Sequence, residues 1–224
     1  MSSGAHTKLK SPMEMVETLQ SRVTSGARGY RIATVRYLMR PPLSLRPKYV
    51  AFLLDLGHQS HHIQEILGRA SERSTNEAIS NLLRHHYREE RNRMQLVMSD
   101  LRRLGYSDAL PERQMTTGDA ALRAYGTTLS YEKPTAMLGM LLVFLGVAAE
   151  ISPTVVRLLG VGSVPRESMR WLLLRQEEDP IAVKTLLEQV AQLALTPQEQ
   201  SEIIEAAEVS GELLALGASS RMAL

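Results

Sequence analysis

Four residues able to do chemistry interrupt two otherwise apolar helical stripes. Glu90 and Arg93 fall within the series Ile79, Leu82, His86, Glu90, Arg93, Val97 and Leu104. Arg175 and Asp179 fall within Leu172, Arg175, Asp179, Ala182, Leu186, Val190 and Leu193. Steps of three, four or seven residues place each series on one helix face. A face that meets a core should be apolar, so charges in its middle need partners or mark a site. The four side chains are two acids and two bases, neutral as a set. Two arrangements satisfy them. Either they close on one another as a buried ion-pair network, or an arginine stays partly unpaired and holds an anionic ligand, for which a planar guanidinium is suited. In the second arrangement Glu90 or Asp179 would transfer protons, and Arg93 or Arg175 would clamp the anion.

The histidines supply a separate candidate. All six lie at or before position 86, and two groups stand one helical turn from acids: His61 and His62 with Glu65, and His85 and His86 with Glu89 and Glu90. An i,i+4 histidine–glutamate pair can bind zinc or iron, but adjacent histidines diverge, so one of each pair at most faces inward. Tyr87, Tyr125 and Tyr131 either bring hydroxyls to a cavity or pack in the core.

The elements that must position these groups read as helices. Leu, Ala and Met are plentiful while Phe and Trp number two and one, a mixture that favours helix on helix, and no alternating strand pattern persists. Ser11-Pro12 predicts a short helix to about Val23, ended by Gly26 and Gly29, and a second over Arg31–Arg40 before Pro41. A long helix follows from about Arg46 to Ala70. Ser74, with Glu77 as its capping-box partner, should open the helix that carries Glu90 and ends at Gly105. Thr117 to Glu132 is the next. Pro134 opens an apolar helix to Ala149, Pro153 a short one, and Pro165 a long one interrupted at Pro180 and reaching Ala194. Thr196-Pro197-Gln198-Glu199 starts a terminal helix to about Leu216.

Length and composition bound the rest. A chain of 224 residues with 44% apolar residues fits one domain, here 11–224 behind a disordered tail over 1–10. The absence of cysteine excludes disulfides, thiolate catalysis and iron–sulfur clusters. The N-terminus lacks the apolar run of a signal peptide, and the longest apolar stretch, Ala136–Ala149, is short for a bilayer, so a cytosolic protein away from membranes is expected. Positions 1–50 carry nine Lys/Arg and two Glu, whereas 176–219 carry nine acids and one Lys. That dipole could steer a ligand or orient a dimer. No basic face with interleaved aromatics recurs, so nucleic acid is not an expected partner.

Several segments also resemble one family. LLRHHYREERNRMQLVMSDLRRLGY is similar to the EExxH helix of the heme-oxygenase-like diiron oxidases and oxygenases, the iron-containing redox enzymes. LGMLLVFLG resembles the helix on which they carry a glutamate ligand, RQEEDPIAV their H-x-x-x-D-x-x-H segment, and LTPQEQSEIIEAA the start of their last helix. The resemblance spans about residues 45–215 and implies an all-α, heme-oxygenase-like bundle of seven or more helices, dimeric, oxidising small molecules with dioxygen. Carried over by position, Glu90 and Asp179 match ligand carboxylates. Arg93, Leu145, Arg175 and Ala182 stand where histidine, glutamate, histidine and histidine ligands would be. A guanidinium has no lone pair for a metal. The expectation is therefore a cofactor-free protein holding a small, anionic organic molecule in the former metal cavity, lined by Arg93, Arg175, His86, Tyr87 and Leu145. It would be a biosynthetic enzyme or a ligand-binding pseudoenzyme. The alternatives are a non-heme iron oxidase using Glu65, His86, Glu90 and Asp179, or a non-catalytic partner of a catalytic paralogue.

Overall fold

The computed structural model describes residues 9–41, 44–106, 115–161 and 164–220. They form seven α-helices: α1 (Pro12–Met39), α2 (Leu45–Arg73), α3 (Glu77–Arg103), α4 (Thr117–Glu132), α5 (Met137–Val161), α6 (Arg170–Gln192) and α7 (Pro197–Ser220), with two short 3₁₀ turns before α5 and α6. The all-α expectation holds.

Helix starts follow local chemistry. Ser11 Oγ accepts from the Glu14 amide at 3.2 Å while Glu14 accepts from the Ser11 amide at 2.8 Å. Thr196 and Glu199 repeat this reciprocal box at α7. At α3 the cap is Asn76, whose Oδ1 accepts from the amides of Ala78 and Ile79, and Ser74 instead ends α2. The expected Ser74–Glu77 box is thus displaced, because an Asn two residues closer to the apolar stripe caps better. Gly105, at φ +85°, turns the chain out of α3 as expected.

Three predicted breaks do not occur. α1 runs unbroken through Gly26 and Gly29. Those glycines serve close approach: a Cβ at Gly26 would lie 2.8 Å from the Gly211 Cα of α7, and one at Gly29 3.2 Å from the Ala215 Cβ. Likewise α5 continues past Pro153 and α6 past Pro180. An internal proline costs a helix about 3 kcal/mol, but the buried positions Ile151, Val155 and Leu159 straddle the first, and Asp179, Leu186 and Val190 the second. Tertiary packing of a continuous face outweighs one lost ladder bond. Of the disordered tail expected over 1–10, residues 1–8 lie outside the described residues, whereas Lys10 exchanges two hydrogen bonds with Gln200 of α7.

α5 is the axis. It packs on α1, α6 and α7, while α2 pairs with α3 and α4 bridges α2 and α7. Positions 136–143 are all buried. Pro134–Val161 is, by length and hydropathy, long enough to cross a membrane, which corrects the shorter apolar stretch inferred from sequence; its most apolar window is 78% buried within the bundle. From Met137 to Ala149 it carries no charged residue, as suits a central core helix, and its charges, Glu150 and Arg157, are exposed.

Candidate functional site

α3 and α6 bring the four interrupting charges together. Glu90, Arg93, Arg175 and Asp179 are all buried, Asp179 completely. Arg93 Nη1 donates to Glu90 Oε1 at 2.7 Å, and Arg93 Nη2 to Asp179 Oδ1 at 3.3 Å. Arg175 Nη1 donates to the same Glu90 oxygen at 3.1 Å. Arg175 Nε approaches Asp179 Oδ2 at 2.7 Å, a close ion pair whose N–H is not aligned as a hydrogen bond. Each acid meets both bases and each base meets both acids, so the quartet is a closed ring.

Electrostatics follow from that closure. Burial alone would raise the Glu90 carboxyl; Arg175 and Arg93 together overcome it and hold Glu90 below the ordinary glutamate range. For Asp179, burial prevails over Arg175 and Arg93, and the neighbouring Glu90 and Glu178 add to it, so its carboxyl rises to about 6. Burial tends to lower the Arg93 guanidinium, but Glu90 and Asp179 raise it overall.

Groups outside the ring set its position. The Asp100 carboxylate, fully buried on α3, accepts from the Trp171 amide at 2.9 Å and so anchors the first turn of α6. Tyr49 donates to the Ser168 carbonyl at 3.0 Å just upstream. The Trp171 ring lies 5.2 Å beneath the Arg175 guanidinium, a cation–π contact. Asp100 and Trp171 lay beyond sequence reasoning; Asp100 is visible in hindsight as a further acid on α3, seven residues past Arg93.

Space around the ring is uneven. The void against Glu90, Arg175, Trp171, Phe144 and Ile151 is about 30 Å³, the room of one water. Beyond Gln59, Ile63 and Phe144, which line both spaces, a cavity of about 310 Å³ opens between α2, α4 and α5. Ile63, Leu122, Met115 and Phe144 give it apolar walls; Asp55, His58, His62, Asp119 and Arg123 give it polar ones. The His62 Nε2 lies 3.1 Å from the Arg123 carbonyl, which can only accept, so Nε2 carries the proton and ties α2 to α4. Burial, then the charge of Arg123, lowers the His62 imidazole. The Arg123 guanidinium is half-buried and has no hydrogen bond or ion pair among the described residues.

The remaining expected residues scatter. His86 is buried, and Nδ1 is sealed without a partner. Tyr87 is half-buried against Gly68. Leu145 is fully buried in the core of α5, and its neighbours Phe144, Val147 and Ala148 line the small void. Tyr131 is exposed and lies under Arg69 and Arg73; Tyr125 is partly buried against the core. Glu65 does not join Glu90 and Asp179: it is half-exposed and sits beside His61 and His62 at 3.6 and 3.8 Å. The alternative iron set is therefore not assembled, and among the described residues no three His, Cys, Asp or Glu gather as a metal cluster. The residues present do not fit a diiron centre: guanidinium nitrogens meet Glu90 Oε1 and both Asp179 oxygens, and Arg93, Leu145, Arg175 and Ala182 offer no ligand atom.

Burial, followed by the charges of His85 and Arg93, drives the His86 imidazole down to about 4. A neutral imidazole in the fold and an ordinary one when unfolded means that stability is fully present above about pH 6.5 and is lost as pH falls toward 4. The difference in unfolding free energy between wild type and His86→Phe should therefore grow by roughly 3 kcal/mol from pH 4 to pH 6.5. Urea titrations at those two pH values measure it, and equal differences would show that His86 does not titrate this way.

No family model and no curated protein matches the sequence. Among solved structures the chain is similar to a domain of unknown function with a heme oxygenase-like fold from Shewanella denitrificans. The likeness has a TM-score of 0.74 at 15% identity over 94% of this chain and 91% of that one.

Proposed function

We propose that this heme oxygenase-like bundle is a small-molecule-binding protein that works without a resident metal, its ligand held in the cavity between α2, α4 and α5. One contrast carries the reading. The buried ring uses both arginines internally and on its Glu90–Arg175 side leaves space for one water, whereas the cavity adjoining that side offers about 310 Å³ and a guanidinium, Arg123, without a side-chain partner among the described residues. A cavity of this size, mostly apolar with a few convergent polar groups, is the usual form of a small-molecule site.

The anion clamp expected at Arg93 or Arg175 thus passes to Arg123. The ligand is a compact, largely apolar organic acid, its body against Ile63, Leu122 and Phe144 and its carboxylate toward Arg123, since Asp55 and Asp119 in the same wall each have a partner of their own. The ring forms the rigid wall behind it. Proton transfer by Glu90 or Asp179 has no support, since both acids are enclosed by guanidinium groups. Binding, rather than chemistry on the ring, is the function the geometry favours.

Thermal melts with apolar carboxylic acids and their matched primary amides test this. A carboxylate present at about 100 times its Kd adds about 2.7 kcal/mol, a rise in Tm of roughly 5–10 °C for a domain of this size. The amides and the Arg123→Gln variant should show little of that rise. Equal shifts for acids and amides, or shifts that persist in Arg123→Gln, would overturn the assignment.

A further inference from the structure

A second cavity, of about 300 Å³, opens on the opposite flank of the ring, between α3 and α6. Its lining includes the buried His86 and Arg93, the more accessible His85, Glu89 and Glu178, and the small side chain of Ala182. It shares no residue with the α2–α4–α5 cavity.

From these residues we infer a second binding site, for a small organic cation such as a protonated amine. Arg93 contributes no free charge, because Glu90 and Asp179 both pair with it. Glu89 and Glu178 have no such neutralising partner among the described residues, so the cavity is net negative and disfavours anions. His86 is the observation that points to a ligand. It is 6% exposed; its Nδ1 is sealed without a partner, and its Nε2, the nitrogen that is not sealed, has no hydrogen bond among the described residues. A buried polar ring without a partner is costly unless something supplies one. With Nδ1 sealed, Nε2 of the neutral imidazole is the acceptor within a ligand's reach, and an ammonium N–H satisfies it while the carboxylates balance the ammonium charge. A metal ion is the weaker occupant, because these donors do not gather as a ligand set.

Calorimetric titration of the intact protein with 1,4-diaminobutane and 1,5-diaminopentane, against glutarate as the anionic counterpart, tests the site. Saturable diamine binding is expected, weakened at least tenfold by Glu178→Gln, an exposed position that leaves the fold alone. His86→Phe should weaken it similarly, with circular dichroism confirming an intact helix content. Arg123→Gln should leave it unchanged, which separates this site from the organic-acid cavity. No saturable diamine binding, tighter binding of glutarate, or an affinity indifferent to Glu178→Gln would each overturn the inference.

Discussion

Arg175→Ala should destabilise the fold by about 3–5 kcal/mol, the usual cost of removing one partner from a buried ion pair. The ring geometry explains why the loss is large. Arg175 meets both Glu90 and Asp179; without it Arg93 alone faces two enclosed carboxylates. Asp179, fully buried, would then take up a proton. The variant's melting temperature should fall by roughly 6–20 °C, and its deficit should shrink on acidification as the stranded acid is neutralised. Replacing all four ring residues with apolar side chains of similar volume should, by contrast, be neutral or stabilising, by up to about 4 kcal/mol. A quadruple variant as unstable as Arg175→Ala would show that the ring's geometry, rather than stranded charge, sets the cost. Denaturant unfolding of the single and quadruple variants makes the comparison.

Gly139→Ala is expected to cost about 3 kcal/mol or more, despite alanine's advantage of about 1 kcal/mol inside a helix. A methyl there would enter the space of the Ile203 carbonyl oxygen and lie 2.9 Å from the Ala207 nitrogen, so it meets the backbone of α7 rather than a movable side chain. α7 is itself held by Gly26 against Gly211 and by Gly118 against Gly217. The helix cannot retreat without loosening three crossings, which places the substitution at or beyond the upper end of ordinary overpacking costs. Gly160→Ala, where a Cβ meets nothing within 4 Å, provides the control and should be neutral or slightly stabilising. Paired melts of the two variants check this, and similar behaviour of both would show that α7 yields easily.

The sequence made the ring residues legible because three- and four-residue steps decide a helix face regardless of tertiary context. Glu90, Arg93, Arg175 and Asp179 were placed inward for that reason, and they are inward. What the steps do not encode is distance between helices. Arg123 and Phe144 acquire their roles only when α4 and α5 meet α2, although Asp55, His58 and His62, spaced by three and four, already share one face of α2. Local punctuation misled where packing overruled it. Gly26 reads as a helix end but is a point of contact between helices. Pro153 and Pro180 read as breaks but are exposed, and the buried faces of α5 and α6 run on past them. Asn76 outcompeted Ser74 by a shift of two residues, below what capping preferences resolve from sequence.

Trp171 is the chain's one tryptophan, 2% exposed and set against Arg175 at the edge of the small void. Nature has therefore installed a single fluorophore at the molecule's electrostatic hub. Its emission should be blue-shifted in the native protein, and any event that parts α6 from α3 should move the spectrum before the far-ultraviolet signal changes, giving an optical gauge of the hub without a label.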